Sequence, residues 1–215
     1  MEKTIEKILE SKIITIVRGV TREKLIPLAE AMYDGGIRLI ECTYDASGKV
    51  SDTETASNIE LLAKHFDGKM TVGAGTVLTE KQVALTKEAG GKFIISPDTN
   101  PDVIRKTKEL GLVSIPGALT PTEIVTAHRS GADFVKVFPV GALGYRYIKD
   151  VKAPLSNVKL LAVGGIDENN MKDYLDAGVC GIGIGSGIVK KNMIDDDNFE
   201  GITALAKLYT DRLNG

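Results

Sequence analysis

"DFVKVFPV", residues 133–140, alternates Phe134, Lys136 and Phe138 with Asp133, Val135 and Val137. In extended chain such alternation puts Phe, Lys and Phe on one face and the valines on the other, so the stretch reads as a strand that stops near Pro139. Similar β-branched runs lie on both sides of it. Upstream are IITIVR (13–18), IRLIECT (37–43), MTVGAGT (70–76), KFIIS (92–96) and LVSIPGA (112–118). Downstream are VKLLAVGG (158–165) and GIGIGS (181–186). Amphipathic segments such as EKLIPLAEAMYDGG and TEKQVALTKEAGG separate them, with apolar residues at helical spacing and a closing glycine. Ser51 with Glu54, Thr79 with Gln82 and Thr120 with Glu123 have capping-box spacing, and Pro121 suits a first helical turn. Eight strand–helix units in succession predict a (β/α)8 TIM barrel preceded by an N-terminal helix, MEKTIEKILESK. A doubly wound open sheet uses the same alternation. The count of eight, with glycine and polar residues crowding the strand ends, favours the barrel.

The 215 residues are 43% apolar and 26% charged with a formal net charge of −2. That near-neutral balance gives no reason to expect nucleic acid or an anionic membrane as partner. No apolar run suits a signal peptide or a membrane span. Cys42 and Cys180 lie in apolar, strand-like sequence, which points to free thiols in a reduced cytoplasm. His65 and His128 are the only histidines and fall in helical segments at no zinc-ligand spacing, so no metal is expected and surface or capping roles suit them. No linker or low-complexity segment divides residues 1–215, which are expected to form one domain.

Lys136 is the anomaly in the decisive strand. An ammonium between two phenylalanines is costly unless it is paired or gives up its proton. A neutral amine in a dry pocket is a nucleophile that forms a Schiff base with a ketone. Glu41, in LIECTYD, is a second charge out of place near a strand end, and in a barrel both would project at the carboxyl end where chemistry sits. Together they make a nucleophile and a proton carrier. The alternative is a buried Glu41–Lys136 ion pair, which stabilises weakly at best.

Glycines mark the last two strand ends. Gly164 and Gly165 in AVGGID, and Gly185 and Ser186 in GIGIGSGIV, suit phosphate binding by backbone N–H groups. Tight strand–helix packing is the other use of such glycines. The run fails G-x-G-x-x-G from either start, since the sixth position is Ser186 or Ile188. Gly75, Thr76, Ser96 and Pro97 end two further strands and either line a small-molecule pocket or serve as caps and turns.

IVRG (16–19), GGIRLIECT (35–43), VGAGTVLT (72–79), ISPDTNP (95–101), IPGALTPTE (115–123), FVKVFP (134–139) and VGGI (163–166) follow one another as in a known family. The chain resembles, over nearly its whole length, the 2-keto-3-deoxy-6-phosphogluconate (KDPG) aldolases and their 2-keto-4-hydroxyglutarate (KHG) relatives. That resemblance implies a cytoplasmic, cofactor-free, homotrimeric class I aldolase of the Entner–Doudoroff type. It gives Lys136 the Schiff base, Glu41 the acid/base role and Phe138 the packing against the lysine. Thr43, Thr76 and Pro97 would line the keto-acid end, and Arg18, Gly164, Gly165 and Ser186 would hold the phosphate. The small-molecule substrate implied is a phosphorylated 2-keto-3-deoxy sugar acid, cleaved to pyruvate and glyceraldehyde 3-phosphate, with 4-hydroxy-2-oxoglutarate as a second substrate.

One position departs from the pattern. The family commonly carries an arginine four residues after the glutamate, where it binds the substrate carboxylate, and this chain has Asp45. Lys49, in the DASGKVSD loop, is one candidate replacement, and backbone donors near Thr76 and Pro97 are the other. Two rival functions remain at this stage. A phosphosugar epimerase or isomerase would need paired carboxylates, a metal or a Glu/His pair rather than an imine-forming lysine. A phosphosugar-binding protein without turnover would need only the glycines.

Overall fold

Each strand-like run lies in a barrel stave, and each amphipathic run supplies an outer helix. The computed structural model describes residues 1–214. Helix α1 (Glu2–Ser11) precedes β1 (Ile13–Val17), α2 (Arg22–Asp34), β2 (Leu39–Thr43), α3 (Asp52–His65), β3 (Thr71–Gly75) and α4 (Glu80–Glu88). Then come β4 (Phe93–Ile95), α5 (Pro101–Glu109), β5 (Val113–Ile115), β6 (Gly117–Ala118), α6 (Pro121–Arg129), β7 (Val135–Val137) and α7 (Gly144–Lys152). The chain ends with β8 (Leu160–Val163), α8 (Met171–Asp176), β9 (Gly181–Ile184), α9 (Lys191–Asp195) and α10 (Phe199–Asn214).

All nine strands run parallel in the order β5-β4-β3-β2-β1-β9-β8-β7-β6. Eight staves were expected, and the ninth strand comes from Pro116. Without an N–H, Pro116 interrupts the LVSIPGA run, so its first half pairs with β4 and its second with β7. Its carbonyl still accepts from the Lys136 N–H at 2.8 Å. β5 and β6 are therefore one bent stave, and the barrel closes around the bend.

Alternation along the strands sorts the side chains. Ile14, Leu39, Phe93, Ile95, Val113, Ile115, Phe134 and Leu161 fill the bore, while residues such as Ile40, Val72, Val135, Leu160 and Ile182 face the helices. Ile8 of α1 is buried among the bore residues, so this helix plugs the amino end of the barrel. Gly73 makes room for Phe93, since a Cβ there would lie 2.3 Å from the ring.

The helix starts behave as their sequences predict, with one exception. Thr79–Gln82 and Thr120–Glu123 form reciprocal capping boxes, and Pro121 opens α6. Ser51 accepts from the Glu54 N–H, but the return bond that completes a box is not among the bonds described for it. His65 and His128 close the last turns of α3 and α6. Cys42 and Cys180 are free thiols, and burial, helped by the nearby Glu41 charge, pushes Cys42 up to about 12. It is a core residue and chemically inert. Among the described residues, no helix is long and apolar enough to cross a membrane.

Candidate active site

Lys136 sits at the middle of β7 and points into the bore between Phe134 below and Phe138 above. Only 7% of it is exposed, and its Nζ lies 4.6 Å from the centroid of the Phe138 ring. Glu41 occupies the inner face of β2, with 2% of its surface exposed. Gly75 explains how a carboxylate fits there. A Cβ at that position would come within 2.0 Å of Glu41 Oε1, so the bare glycine on β3 provides the niche in which the carboxylate rests.

Glu41 and Lys136 feel each other's charge, yet no direct ion pair joins them among the described residues. Burial is the main influence on both. It pushes the Glu41 carboxyl up, against the pull of Lys136 and Arg18. It pushes the Lys136 ammonium down, against Glu41 and with help from Arg18. Each shift favours the uncharged form, so amine plus carboxylic acid competes with ammonium plus carboxylate. The first arrangement supplies a nucleophile and a proton donor side by side. A purely structural ion pair would need direct contact to offset its desolvation.

The remaining expected residues form two groups. Thr43, Thr76, Pro97 and Phe138 lie at or just beyond the carboxyl ends of β2, β3, β4 and β7. Thr43 donates its hydroxyl to the Val17 carbonyl at 2.6 Å, which ties β1 to β2 beside Glu41. Thr76 accepts a hydrogen bond from Arg18 Nη2 at 3.1 Å. Pro97 packs its carbonyl against Gly117, where a Cβ would be only 2.4 Å away. Phe138 is 36% exposed and forms part of the rim.

Gly164, Gly165 and Ser186 make up the second group. Both glycines adopt left-handed conformations, at φ 90° and 77°, and Gly165 packs against Gly141. Asn170 Nδ2 donates to the Gly165 carbonyl at 2.9 Å and holds the turn. None of the loop hydrogen bonds among the described residues uses the N–H of Gly164, Gly165 or Ser186. Unspent donors at neighbouring strand ends suit an anion. Arg18 donates to Thr76. It also lines a cavity of about 290 Å³ along with Lys24, Val189 and Lys191, the last two in the segment that follows Ser186.

Asp45 does not face the reacting pair as a bare charge. Its carboxylate accepts from Ser47 N (2.9 Å), from Ser47 Oγ (2.7 and 2.8 Å) and from Val50 N (3.0 Å). Those bonds, led by Ser47, pull its pKa down to about 2. Asp45 is the knot of its own loop, and Lys49 stands exposed on that loop. Among the described residues, no group of three His, Cys, Asp or Glu side chains is placed to hold a metal ion.

Two supporting residues were not foreseen. Tyr209 of α10 is fully buried and donates to Glu168 Oε2 at 3.1 Å, while its hydroxyl fills the space a side chain at Gly187 would need. It therefore clamps the loop after β8 to the turn after β9. Tyr44 contacts Thr86 Oγ1 at 3.0 Å and donates to the Gln82 carbonyl at 3.2 Å, and Gln82 Nε2 donates to Asp52. This chain of bonds fixes the start of α3 against α4, behind Glu41. An isolated tyrosine, whether in a helix like Tyr209 or just past a strand like Tyr44, offers no signal for either role.

A family model described as KDPG and KHG aldolase matches residues 4–205. The chain is 31% identical to the 2-dehydro-3-deoxy-6-phosphogalactonate aldolase of Escherichia coli over 92% of this chain and 94% of that one. It is 30% identical to the 2-dehydro-3-deoxy-phosphogluconate aldolase of Haemophilus influenzae, covering 98% and 96% of the two chains. A solved KDPG aldolase from Legionella pneumophila superposes with a TM-score of 0.86 at 28% identity, covering 96% of this chain and 98% of that one. That structure holds pyruvate captured at low pH as a covalent carbinolamine intermediate.

Proposed function

The chain belongs to the KDPG and KHG aldolase family, and from that premise we propose that it is a Schiff-base aldolase that cleaves a 2-keto-3-deoxy-6-phospho sugar acid. The products are pyruvate and glyceraldehyde 3-phosphate, and 4-hydroxy-2-oxoglutarate is a second substrate, cleaved to pyruvate and glyoxylate. One observation carries the reading: Lys136 and Glu41 are both buried on the inner face of the barrel and feel each other's charge, with no direct ion pair between them among the described residues. Relatives named for the galactonate and gluconate sugars are about equally similar, so the sugar epimer is left to measurement. An epimerase or isomerase gains nothing from an imine-forming lysine, and a mere binding protein has no use for a buried acid–amine pair.

The mechanism uses only groups on these strand ends. Neutral Lys136 attacks the C2 ketone, and Glu41 delivers the protons that expel water and leave a protonated imine. That imine draws electrons, so the C3–C4 bond breaks once Glu41, directly or through water, takes the C4 hydroxyl proton. The aldehyde leaves, the enamine is protonated at C3, and water releases pyruvate and free Lys136. Gly164, Gly165 and Ser186 hold the phosphate and orient C4. The resemblance supports a cytoplasmic homotrimer, whose mass light scattering measures directly.

The deciding assay is pyruvate release from the phosphogluconate and phosphogalactonate acids and from 4-hydroxy-2-oxoglutarate, with and without chelator. Release without added metal supports the proposal, and no release from any of the three overturns it. Gly75→Ala puts a methyl where the Glu41 carboxylate rests. It is expected to lower kcat by about 10²-fold, the scale of a misplaced catalytic group, with unchanged circular dichroism. A normal kcat would mean that the niche is not what positions Glu41. Ser186→Asp brings a negative charge to the phosphate turn and is expected to raise KM for phosphorylated substrates well above its effect on 4-hydroxy-2-oxoglutarate. Equal losses on both would assign these glycines to packing.

A further inference from the structure

We propose that Tyr209 and Glu168 are positioning residues that set the spacing between the two turns of the phosphate site. The proposal rests on the phosphate reading above and adds the device that assembles that site. Gly164 and Gly165 follow the end of β8, and Gly185 and Ser186 follow the end of its neighbour β9. The last paired rung between these strands is Val163 with Gly183. Beyond it, no backbone hydrogen bond among the described residues joins residues 164–170 to residues 185–190. Each turn is held within itself. Ile188 and Val189 donate to the Gly185 carbonyl at 3.1 and 2.9 Å, and Asp167 accepts from the Asn169 and Asn170 N–H groups at 2.8 and 3.0 Å. Tyr209 supplies the tie between them. Its hydroxyl donates to Glu168 Oε2 in the first loop at 3.1 Å, and a Cβ at Gly187 in the second would lie 2.3 Å from the same oxygen. One oxygen atom lies against both turns.

Packing alone does not call for that oxygen. The Tyr209 ring is fully buried, and phenylalanine would fill the same space with no polar atom to satisfy. Helix α10 makes a stiff platform for it. Thr203 and Thr210 donate to the carbonyls of Ala31 and Gly35 at 3.0 and 2.8 Å. Gly35 lets α10 approach so closely that a Cβ there would lie 2.4 Å from Ala206 Cβ. Burial, then the bond to Glu168, push the Tyr209 hydroxyl up to about 12, so it remains a donor at neutral pH. Charge gives the bond a second effect. Glu168 stands in the loop that begins at Gly164 and Gly165, where a loose carboxylate would repel a phosphate. The bond anchors that charge to α10.

The test compares substrates with and without phosphate. Tyr209→Phe removes one oxygen and keeps the ring. It is expected to raise KM for the phosphorylated aldol, and the inhibition constant of inorganic phosphate against it, by about 5- to 20-fold, within the worth of one bond to a charged group. KM for 4-hydroxy-2-oxoglutarate and pyruvate trapping on Lys136 should change by less than about twofold, since neither engages a phosphate. Glu168→Ala should match Tyr209→Phe when read against Glu168→Gln, which loses the same charge but keeps an acceptor. This comparison carries the test if Tyr209→Phe fails to fold. Combining Tyr209→Phe with Glu168→Ala should add less than about twofold to the larger single loss, as two halves of one bond do. Losses that multiply would overturn the proposal, and so would an unchanged KM for the phosphorylated aldol. Equal losses on every substrate would overturn it too, by making the bond a support of the whole barrel. If Ser186→Asp also fails to separate phosphorylated from unphosphorylated substrates, the phosphate reading is wrong and this inference falls with it. Separation by Ser186→Asp but not by Tyr209→Phe sinks this inference alone.

Discussion

Lys136→Arg leaves the barrel folded and without turnover. The expected loss in kcat is about 10⁴-fold or more, the scale reached when a covalent nucleophile is removed and its neighbours remain. A guanidinium keeps its proton at any working pH and is a poor nucleophile, so borohydride with pyruvate should add no mass to the peptide carrying residue 136. Label on another lysine, or turnover that survives the change, would place the chemistry elsewhere. The same lysine should weaken the fold. Burial lowers its pKa, so the unfolded chain holds the proton more tightly than the folded one. Stability contributed at this position is therefore lost as pH falls below the ordinary lysine value of about 10.4 and recovered above it. In a Glu41→Gln background, which removes the coupled carboxylate, Lys136→Met should stabilise the chain at pH 7 by about 1–4 kcal/mol. The difference should vanish as pH approaches that lysine value. A Lys136→Met chain no more stable than its parent at pH 7 would mean that water reaches the amine freely.

The buried Lys136–Glu41 pair was legible because each member breaks the pattern around it. Phe134, Lys136 and Phe138 share a face by the two-residue period alone, and the fold puts Phe134 in the bore, Lys136 above it and Phe138 at the rim. Glu41 follows Leu39 and Ile40 in an otherwise apolar stave, so its charge has nowhere bland to go. The barrel was legible for the same reason, through repetition of short strands and capped helices. Pro116 was harder. Within one run of sequence nothing says that its two halves must pair with different neighbours, because that follows from closure of the whole ring. Gly75 read as a pocket or turn glycine, and what its neighbourhood leaves no room beside is a carboxylate on the adjacent strand. Arg18 shows the limit most clearly. Its position at a strand end follows from alternation, whereas the direction of a long rim side chain depends on Thr76, a partner brought near only by the fold. Tyr209 is the same case in the core, joining two loops from a helix at the far end of the chain.

Glu41→Gln separates proton transfer from imine formation. Glutamine has the carboxylate's shape and fits the Gly75 niche, so substrate should still enter and meet Lys136. What disappears is the group that carries protons to the leaving water and from the C4 hydroxyl. General acid–base help of this kind is worth ~10²- to 10⁴-fold, and kcat for cleavage should fall by that factor. Trapping of pyruvate should be slowed and not abolished, since water can replace the acid poorly but the nucleophile remains. The pH dependence gives an independent check on the arrangement. The Glu41 charge raises the pKa of Lys136 against the effect of burial, so removing it should lower that pKa further. More of the amine is then neutral at a given pH, and the acid limb of the trapping rate moves to lower pH. A near-normal kcat would hand the proton transfers to another group. An unmoved acid limb would mean that the carboxylate and the amine are too far apart to act as one unit.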